Sequence, residues 1–530
     1  MPKRPMTTNT AGSETVSAVL RALRERLEIA EDFPDDVLDE AAASAEAGLA
    51  DMALADRREY PFVTIDPPDS MDLDQAVHIE REGEGYLVRY AISAVGLFIR
   101  PGGALERETH RRTQTVYGPD GSIPLHPHAL SHGAASLLPN EDRPAYLWYL
   151  HLNPDGELRH KWVELALVRS VAKLSYEQVQ DAVDGRTALD SGVPGDFPEL
   201  LRRVGSLRVE REIARGGVSL ALPEQVVEKG DGGYRLAFRA LTDVEKWNAQ
   251  ISLVTGMAAA DIMSRAAVGV LRTMPPAMPR DVDRLRSVAR ALRLDWPEDV
   301  GYRDFVRSVG GDTPAGAAFL TEAASLFRGA GYHTLPLLGW SEEPGRHRGV
   351  PAPEHAALAS RYAHVTAPLR RLVDRYGLEI CRCVCAGEGI PQWVYEGLYR
   401  LPTLMAAGAR VAGQYENGAL DAVETLVLAG REREEFEGVV VDVFHRRRRE
   451  GRKSRRDGRG GAEDAQSGSS AQSVVPLRGS GTVMLGDPAV LAPVVGDGLE
   501  RGREITAVLR RVDLSTSTVE FEPVRVDQPA

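Results

Sequence analysis

Apolar residues near the start of the chain recur at three- and four-residue steps. Val16, Leu20, Leu23 and Leu27 would share one helix face. This spacing predicts a helical region over 14–56, punctuated by the FPDDV segment. The period then shortens. PFVTID and YLVRYAIS read as strands, with a run of aspartates between them, and 143–151 and 157–173 alternate well enough to add two more. From Ser175 to about residue 215 the pattern is helical again. LPEQVVEKGDGGYRLAF predicts a hairpin around Gly230, Gly232 and Gly233. Helices dominate from Thr242 to about Arg433, with loops at PPAMP (275–279) and at 339–355. Beyond them lie the strand-like runs FEGVVVDV, SGTVMLGD, PAVLAPVV, EITAVLRRVD and TVEFEPVRV. Short strands with glycine-rich turns predict a small OB-type β-barrel, a common scaffold for RNA.

The whole is an α+β plan. It divides into an N-terminal helical region (1–55), a central mixed domain (56–432) and a C-terminal barrel (433–530). The 530 residues suffice for two to four domains, and 43% hydrophobic with 27% charged residues is ordinary for a globular chain. Within 446–459 stand nine Arg or Lys against two acids, followed by a Gly/Ser/Ala/Gln-rich run. Nothing in 446–473 can build a core, so it reads as a disordered basic loop inside the barrel. The net charge of −13 argues against wholesale wrapping by nucleic acid. It leaves room for a local basic channel, because phosphates respond to the nearby field. There is neither a signal-peptide pattern nor a run of 18 apolar residues, which makes a cytoplasmic location the expectation, with no membrane partner. The cysteines Cys381, Cys383 and Cys385 crowd into one CRCVC stretch. That is too tight for a usual zinc site, and they read as structural thiols on a helix.

The chemistry concentrates in TIDPPDSMDLDQ, where Asp66, Asp69, Asp72 and Asp74 stand within nine residues. Like charges packed so densely are favourable mainly around a cation. Carboxylates without His or Cys select Mg²⁺ or Mn²⁺. An EF-hand loop starting at Asp69 would need a glycine where Asp74 stands. A phosphatase with an aspartate nucleophile would place its DxD directly after an apolar strand, whereas PPDSM precedes Asp72. A merely solvated acidic loop is the remaining alternative.

TIDPPDSMDLDQA resembles the catalytic motif of the ribonuclease II / ribonuclease R (RNB-domain) family, with Asp66, Asp72 and Asp74 in place and Gln75 where a fourth aspartate is usual. The resemblance continues in order over roughly 56–525. RYAHVTAPLRRLVDRYG places Arg370 on a phosphate-contacting arginine, with Arg371 in support and Tyr362 nearby. Tyr117 in VYGPDGSIPLHP and Tyr176 in AKLSYEQV fall on aromatics near the 3′ end of the RNA. Glu245 in DVEKWN and Glu416 in QYENGALDAV, with Asp421 five residues on, match more weakly. His355 and His364 read as structural.

The resemblance implies an RNB-type central domain with a mixed sheet and helices around an RNA channel. It further implies a metal-dependent 3′→5′ exoribonuclease acting on single-stranded RNA as a monomer. Asp66, Asp72, Asp74 and Gln75 would hold Mg²⁺ or Mn²⁺. Arg370 would grip the phosphate, and Tyr117 and Tyr176 would stack on bases, with Arg371, Glu245 and Glu416 along the RNA. The cold-shock barrels of the family's larger members have no counterpart before residue 56, where helices are predicted instead. Two alternatives stay open. One is a relative that binds RNA but cuts weakly because of Gln75. The other is a metal-dependent hydrolase of small nucleotides.

Overall fold

The computed structural model describes residues 10–48, 54–220, 224–230, 233–239, 241–311, 313–335, 354–444, 479–486 and 489–525. The predicted basic loop 446–473, Gly232 and most of the predicted loop 339–355 lie outside these residues.

The predicted N-terminal helical region is two helices, α1 (Thr10–Arg26) and α2 (Asp35–Ala47). Glu28 in left-handed backbone ends the first, and Pro34 precedes the second. The helical prediction ran too far at its end. Ala55–Asp56 is a short strand, β1, paired in parallel with a later one.

Next come β2 (Phe62–Ile65), β3 (Gln75–Glu82), β4 (Gly85–Ser93), helix α3 (Ala104–Arg112), the short hairpin β5 (Val116–Gly118) and β6 (Gly121–Ile123), and then β7 (Asp142–Leu152) and β8 (Leu158–Leu174). β3 and the β5–β6 hairpin were not among the predicted strands. The sheet order is β1-β8-β2-β3-β4-β7, and the long β8 also pairs with β7, so the pairings return on themselves. β4 is buried along its whole length, as a strand packed on both faces should be.

Helices α4 (Tyr176–Val183) and α5 (Phe197–Ala214) follow, then the predicted hairpin as β9 (Glu224–Gly230) and β10 (Gly233–Arg239), and α6 (Asp243–Ala266). The region predicted to be mainly helical contains a further antiparallel pair, β11 (Gly269–Thr273) with β12 (Gly331–Leu335). Between these strands lie α7 (Pro279–Ala291), α8 (Tyr302–Ser308) and α9 (Pro314–Ala324), which gather their own apolar core around Leu285, Phe305 and Phe319. The chain continues through α10 (Leu372–Ala386), α11 (Gln392–Leu398) and α12 (Leu401–Leu428).

The C-terminal strands β13 (Glu435–Phe444), β14 (Gly479–Gly486), β15 (Ala489–Gly496), β16 (Glu504–Asp513) and β17 (Thr518–Arg525) form a closed barrel, ordered β13-β14-β15-β17-β16. All five runs predicted for it are strands. No described helix is long and apolar enough to cross a membrane.

Candidate active site

The aspartate loop 66–75 leaves β2, returns as β3, and is pinned along its length. The Asp66 N–H donates to the Leu174 carbonyl at 3.0 Å. The two prolines stiffen a turn that closes by Ser70 N–H to Pro67 O at 3.0 Å. Lys173, one residue before the end of β8, donates to the carbonyls of Pro68 at 2.6 Å and Ser70 at 2.5 Å. Ser136 donates to Met71 O at 2.6 Å and accepts from Leu73 N–H at 3.0 Å, and Ser93 N–H reaches Asp74 O at 2.9 Å. Leu73 sits wholly in the core between half-buried Asp72 and buried Asp74. This alternation aims both carboxylates to one side. Asp69 is exposed at the outer turn.

The arginine segment closes over the same place. The Leu369 N–H donates to Asp74 Oδ1 at 2.8 Å, and Arg370 Nε lies 3.5 Å from Asp74 Oδ2 while its side chain stays 45% exposed. Arg370 and Tyr117 lie close enough for each to feel the charge of the other. The backbones of the two segments also meet, with Thr115 N–H on Arg370 O at 3.1 Å and Leu372 N–H on Thr113 O at 2.9 Å. Tyr117 presents an exposed ring from the short β5–β6 hairpin. Tyr176 opens α4 under a Ser175 capping box and lies in the field of Asp66 and Arg370. Residues almost 300 positions apart thus share one site.

Electrostatics mark this site. Burial pushes the Asp74 carboxyl up to about 8, against the pull of Arg370 and the Leu369 N–H. Burial likewise raises Asp66 to about 6, with Arg370 and Lys173 opposing and Asp72 adding repulsion. Buried carboxylates with too little positive charge near them keep their protons, and shifts of this kind concentrate at functional sites. The Asp66 Oδ2 oxygen is buried and has no hydrogen-bond partner. Carboxylates alone, one of them with an unpartnered oxygen, are the donor set a hard divalent cation takes. As the side chains stand, no three His, Cys, Asp or Glu among the described residues converge as a ready metal cage.

Several expected contacts have other occupations. Gln75 was expected at the metal, but its amide is already engaged. Nε2 donates to Thr366 O at 2.6 Å, while Oε1 accepts from the Tyr90 hydroxyl and, at 3.2 Å, from Ser252. Arg371 was expected along the RNA. Instead it is paired with fully buried Asp374 through contacts of 3.0 and 2.9 Å. Glu245 caps α6, accepting from Thr242 N–H at 2.7 Å and pairing with Arg239. Glu416 is exposed on α12, and among the described residues no hydrogen bond or ion pair joins it to the aspartates. Tyr362 is a core side chain, and half-buried His364 meets the Tyr332 hydroxyl at 2.8 Å. Burial holds His355 down to about 4, neutral as a structural histidine should be. The three cysteines lie on α10, with Cys381 and Cys383 buried. Lys173, Ser136 and Asp374 support the site although no local pattern announced them.

Comparison with known proteins identifies the family. The RNB domain profile matches residues 55–381, and the profile of the RNase II-type exonuclease C-terminal S1 domain matches 472–524. Ribonuclease R of Aquifex aeolicus is 27% identical over 400 residues, covering 73% of this chain and 54% of that protein. The inactive exonuclease DIS3L2 of Arabidopsis thaliana is 26% identical over 341 residues, covering 60% of this chain and 32% of that protein. This chain therefore spans about a third to a half of the length of these curated relatives. Among solved structures, Mycoplasma genitalium RNase R in complex with ribose-methylated single-stranded RNA superposes with a TM-score of 0.80 at 16% identity, over 96% of this chain and 78% of that one. With a family profile over more than half its length and the aspartate loop and arginine segment meeting at one spot, the chain belongs to the RNB-domain family, with an S1-type barrel at its C-terminal end.

Proposed function

We propose that this protein is a 3′→5′ exoribonuclease that hydrolyses single-stranded RNA to nucleoside 5′-monophosphates. The supporting observation is the 3.5 Å approach of half-exposed Arg370 to buried Asp74, with Asp66 and Asp72 in the same electrostatic neighbourhood. Family membership carries the reaction class, since related proteins include ribonuclease R.

Asp66, Asp72 and Asp74 would hold Mg²⁺ or Mn²⁺. Such an ion, when bound, makes water a better nucleophile and offsets charge on the phosphate oxygens. The protein's own groups do the rest. Arg370 turns its exposed guanidinium edge to the scissile phosphate and stabilises charge developing there. The Leu369 N–H fixes the orientation of the Asp74 carboxyl. Tyr117, next to Arg370, offers a ring on which a base near the 3′ end stacks, a contribution of about 1–3 kcal/mol per base with little preference for its identity. Tyr176 stands on the Asp66 side of the same site.

Purified protein incubated with 5′-labelled oligo(A) and Mg²⁺ should give a ladder of shortening strands that ends at a few nucleotides. An unchanged strand that is nonetheless tightly bound would mean that the protein holds RNA without cutting it. Cleavage that persists when the 3′ end is blocked would point to a different hydrolase.

A further inference from the structure

Helix α1 packs its face of Val16, Leu20 and Leu23 into an apolar core shared with Val116 and Ile123 of the β5–β6 hairpin, with Ala412, Tyr415 and Ala419 of α12, and with the C-terminal barrel. Gly418 of α12 lets α1 come close, because a Cβ there would stand 2.9 Å from Leu23. At the edge of this core Arg24 is 9% exposed. Its guanidinium donates to both carboxylate oxygens of Asp120, at 2.5 and 2.6 Å, to the Tyr415 hydroxyl at 2.9 Å and to Glu31 at 3.1 Å. Asp120 lies in the tight turn between β5 and β6. Gly118, one residue after Tyr117, packs directly on Tyr415, where a Cβ would stand 2.8 Å from the hydroxyl.

The hairpin has three residues in each strand and exposed residues at its tip. A two-stranded hairpin of that size has little stability of its own. Its position must come from what grips it, and a buried arginine whose Nε, Nη1 and Nη2 each reach a different partner, Tyr415, Glu31 and Asp120, is a directional grip.

We propose that Arg24 is a positioning residue for RNA binding. The N-terminal helix, through the Arg24–Asp120–Tyr415 contact, fixes the hairpin so that Tyr117 stays beside Arg370 and ready to stack. This assignment rests on the exoribonuclease reading for its functional consequence, whereas its structural half stands apart from that reading. It gives helix α1 a role in the site itself.

The test uses the full chain with Arg24→Met, Arg24→Lys and Asp120→Asn, each with and without Tyr117→Ala. Hydrogen–deuterium exchange of residues 116–123 should speed up in Arg24→Met and Asp120→Asn relative to the unchanged sheet strands. Unaltered exchange there would overturn the proposal whether or not the protein cuts RNA. On oligo(A), Arg24→Met should raise KM about five- to tenfold, part of what one stacked base is worth, with kcat within about twofold. Arg24→Lys, which keeps the charge but cannot reach Asp120, Tyr415 and Glu31 together, should fall between Arg24→Met and wild type. In the Tyr117→Ala background Arg24→Met should add nothing further to KM. Additive effects would show that Arg24 acts elsewhere and would overturn the proposal. If Arg24→Met loses the fold of α1, Asp120→Asn carries the same comparison from the hairpin side. Faster exchange in a protein that neither binds nor shortens RNA would keep the brace and refute the exoribonuclease reading.

Discussion

Two buried carboxylates flank the same arginine pair, and they are treated differently. Asp374 accepts Arg371 through two contacts and the Ala367 N–H at 2.7 Å, and it is fully buried. Asp74, hardly more exposed, receives one backbone N–H and an edge approach of 3.5 Å from Arg370, whose side chain remains 45% open. Arg370 ends a turn, whereas Arg371 is in extended backbone just before α10, so the chain changes direction between them. One arginine of the tandem therefore enters the protein and the other faces the site. The first pair is complete and holds the fold. The second is left open, with Asp74 pushed up to about 8 by its burial and the Arg370 charge not neutralised, so both groups are available to a ligand.

The largest effects should come from the open pair. Asp74→Asn should reduce RNA shortening roughly a thousandfold or more, while binding of oligo(A) changes little. Arg370→Ala should cost on the order of a hundred- to a thousandfold in kcat. Gel assays of turnover beside fluorescence anisotropy separate the two quantities. If Asp74→Asn digests RNA at the wild-type rate, the site has been placed wrongly.

The closed pair should answer in stability. Asp374→Ala leaves Arg371 buried without its counter-charge, which costs about 3–5 kcal/mol in other proteins. It also frees the Ala367 N–H and loosens the turn that presents Arg370. Urea unfolding should show the loss directly. A variant as stable as wild type would remove the distinction drawn between the two carboxylates.

How far this contrast could be read from sequence follows from range. The spacing of Asp66, Asp72 and Asp74, and the RYAHVTAPLRR segment, were legible because each is local and chemically unusual. Likewise, the five barrel strands were legible from short alternating runs. The inward turn of Arg371 was not, since its resemblance to a phosphate-binding pair says nothing of Asp374 three residues on. Gln75 looked like a weak ligand because its partners Thr366, Tyr90 and Ser252 are contributed by three separate elements. β3 was overlooked because QAVHIERE mixes charged with apolar positions, and its identity as a strand is set by pairing with β4. The role of α1 needed the contact of Arg24 with a turn 96 residues away.

A smaller effect comes from pH. The folded Asp74 carboxyl titrates near 8, above the ordinary aspartate range, so the folded state holds a proton that the unfolded state has lost. Its contribution to stability is most favourable below about pH 4 and is lost as pH rises towards 8. Asp66 adds the same trend over the lower part of that window, up to about 6. Metal-free protein should therefore melt at a lower temperature at pH 8 than at pH 5, relative to Asp74→Asn at each pH. The divergence between the two should not exceed a few kcal/mol. Mg²⁺ should narrow it, and more so at pH 8, where the carboxylates are ionised. Parallel melting curves for the two proteins across this range would show that Asp74 ionises normally.

Gln75 gives the finest test, because it stands at the junction of the two treatments. A carboxylate at this position could be taken as a restored ligand, in which case Gln75→Asp would raise activity. The hydrogen bonds argue the reverse. The Gln75 amide donates to the Thr366 carbonyl, and an ionised aspartate has no proton to donate there. Its chain is also one methylene shorter, which withdraws it from Tyr90 and Ser252. The change would thus leave a carbonyl without its donor and add a fourth carboxylate beside Asp66, Asp72 and Asp74. Each such loss is worth about 1–3 kcal/mol. Activity at neutral pH should fall about tenfold, with a rise in the Mg²⁺ concentration needed for half-maximal rate, because the segment leading to Arg370 is no longer tied to β3. Gln75→Glu, which keeps the length but not the donor, should be milder. Should Gln75→Asp instead cut faster at lower Mg²⁺, the amide would be a degraded ligand after all, and the tie to Thr366 incidental.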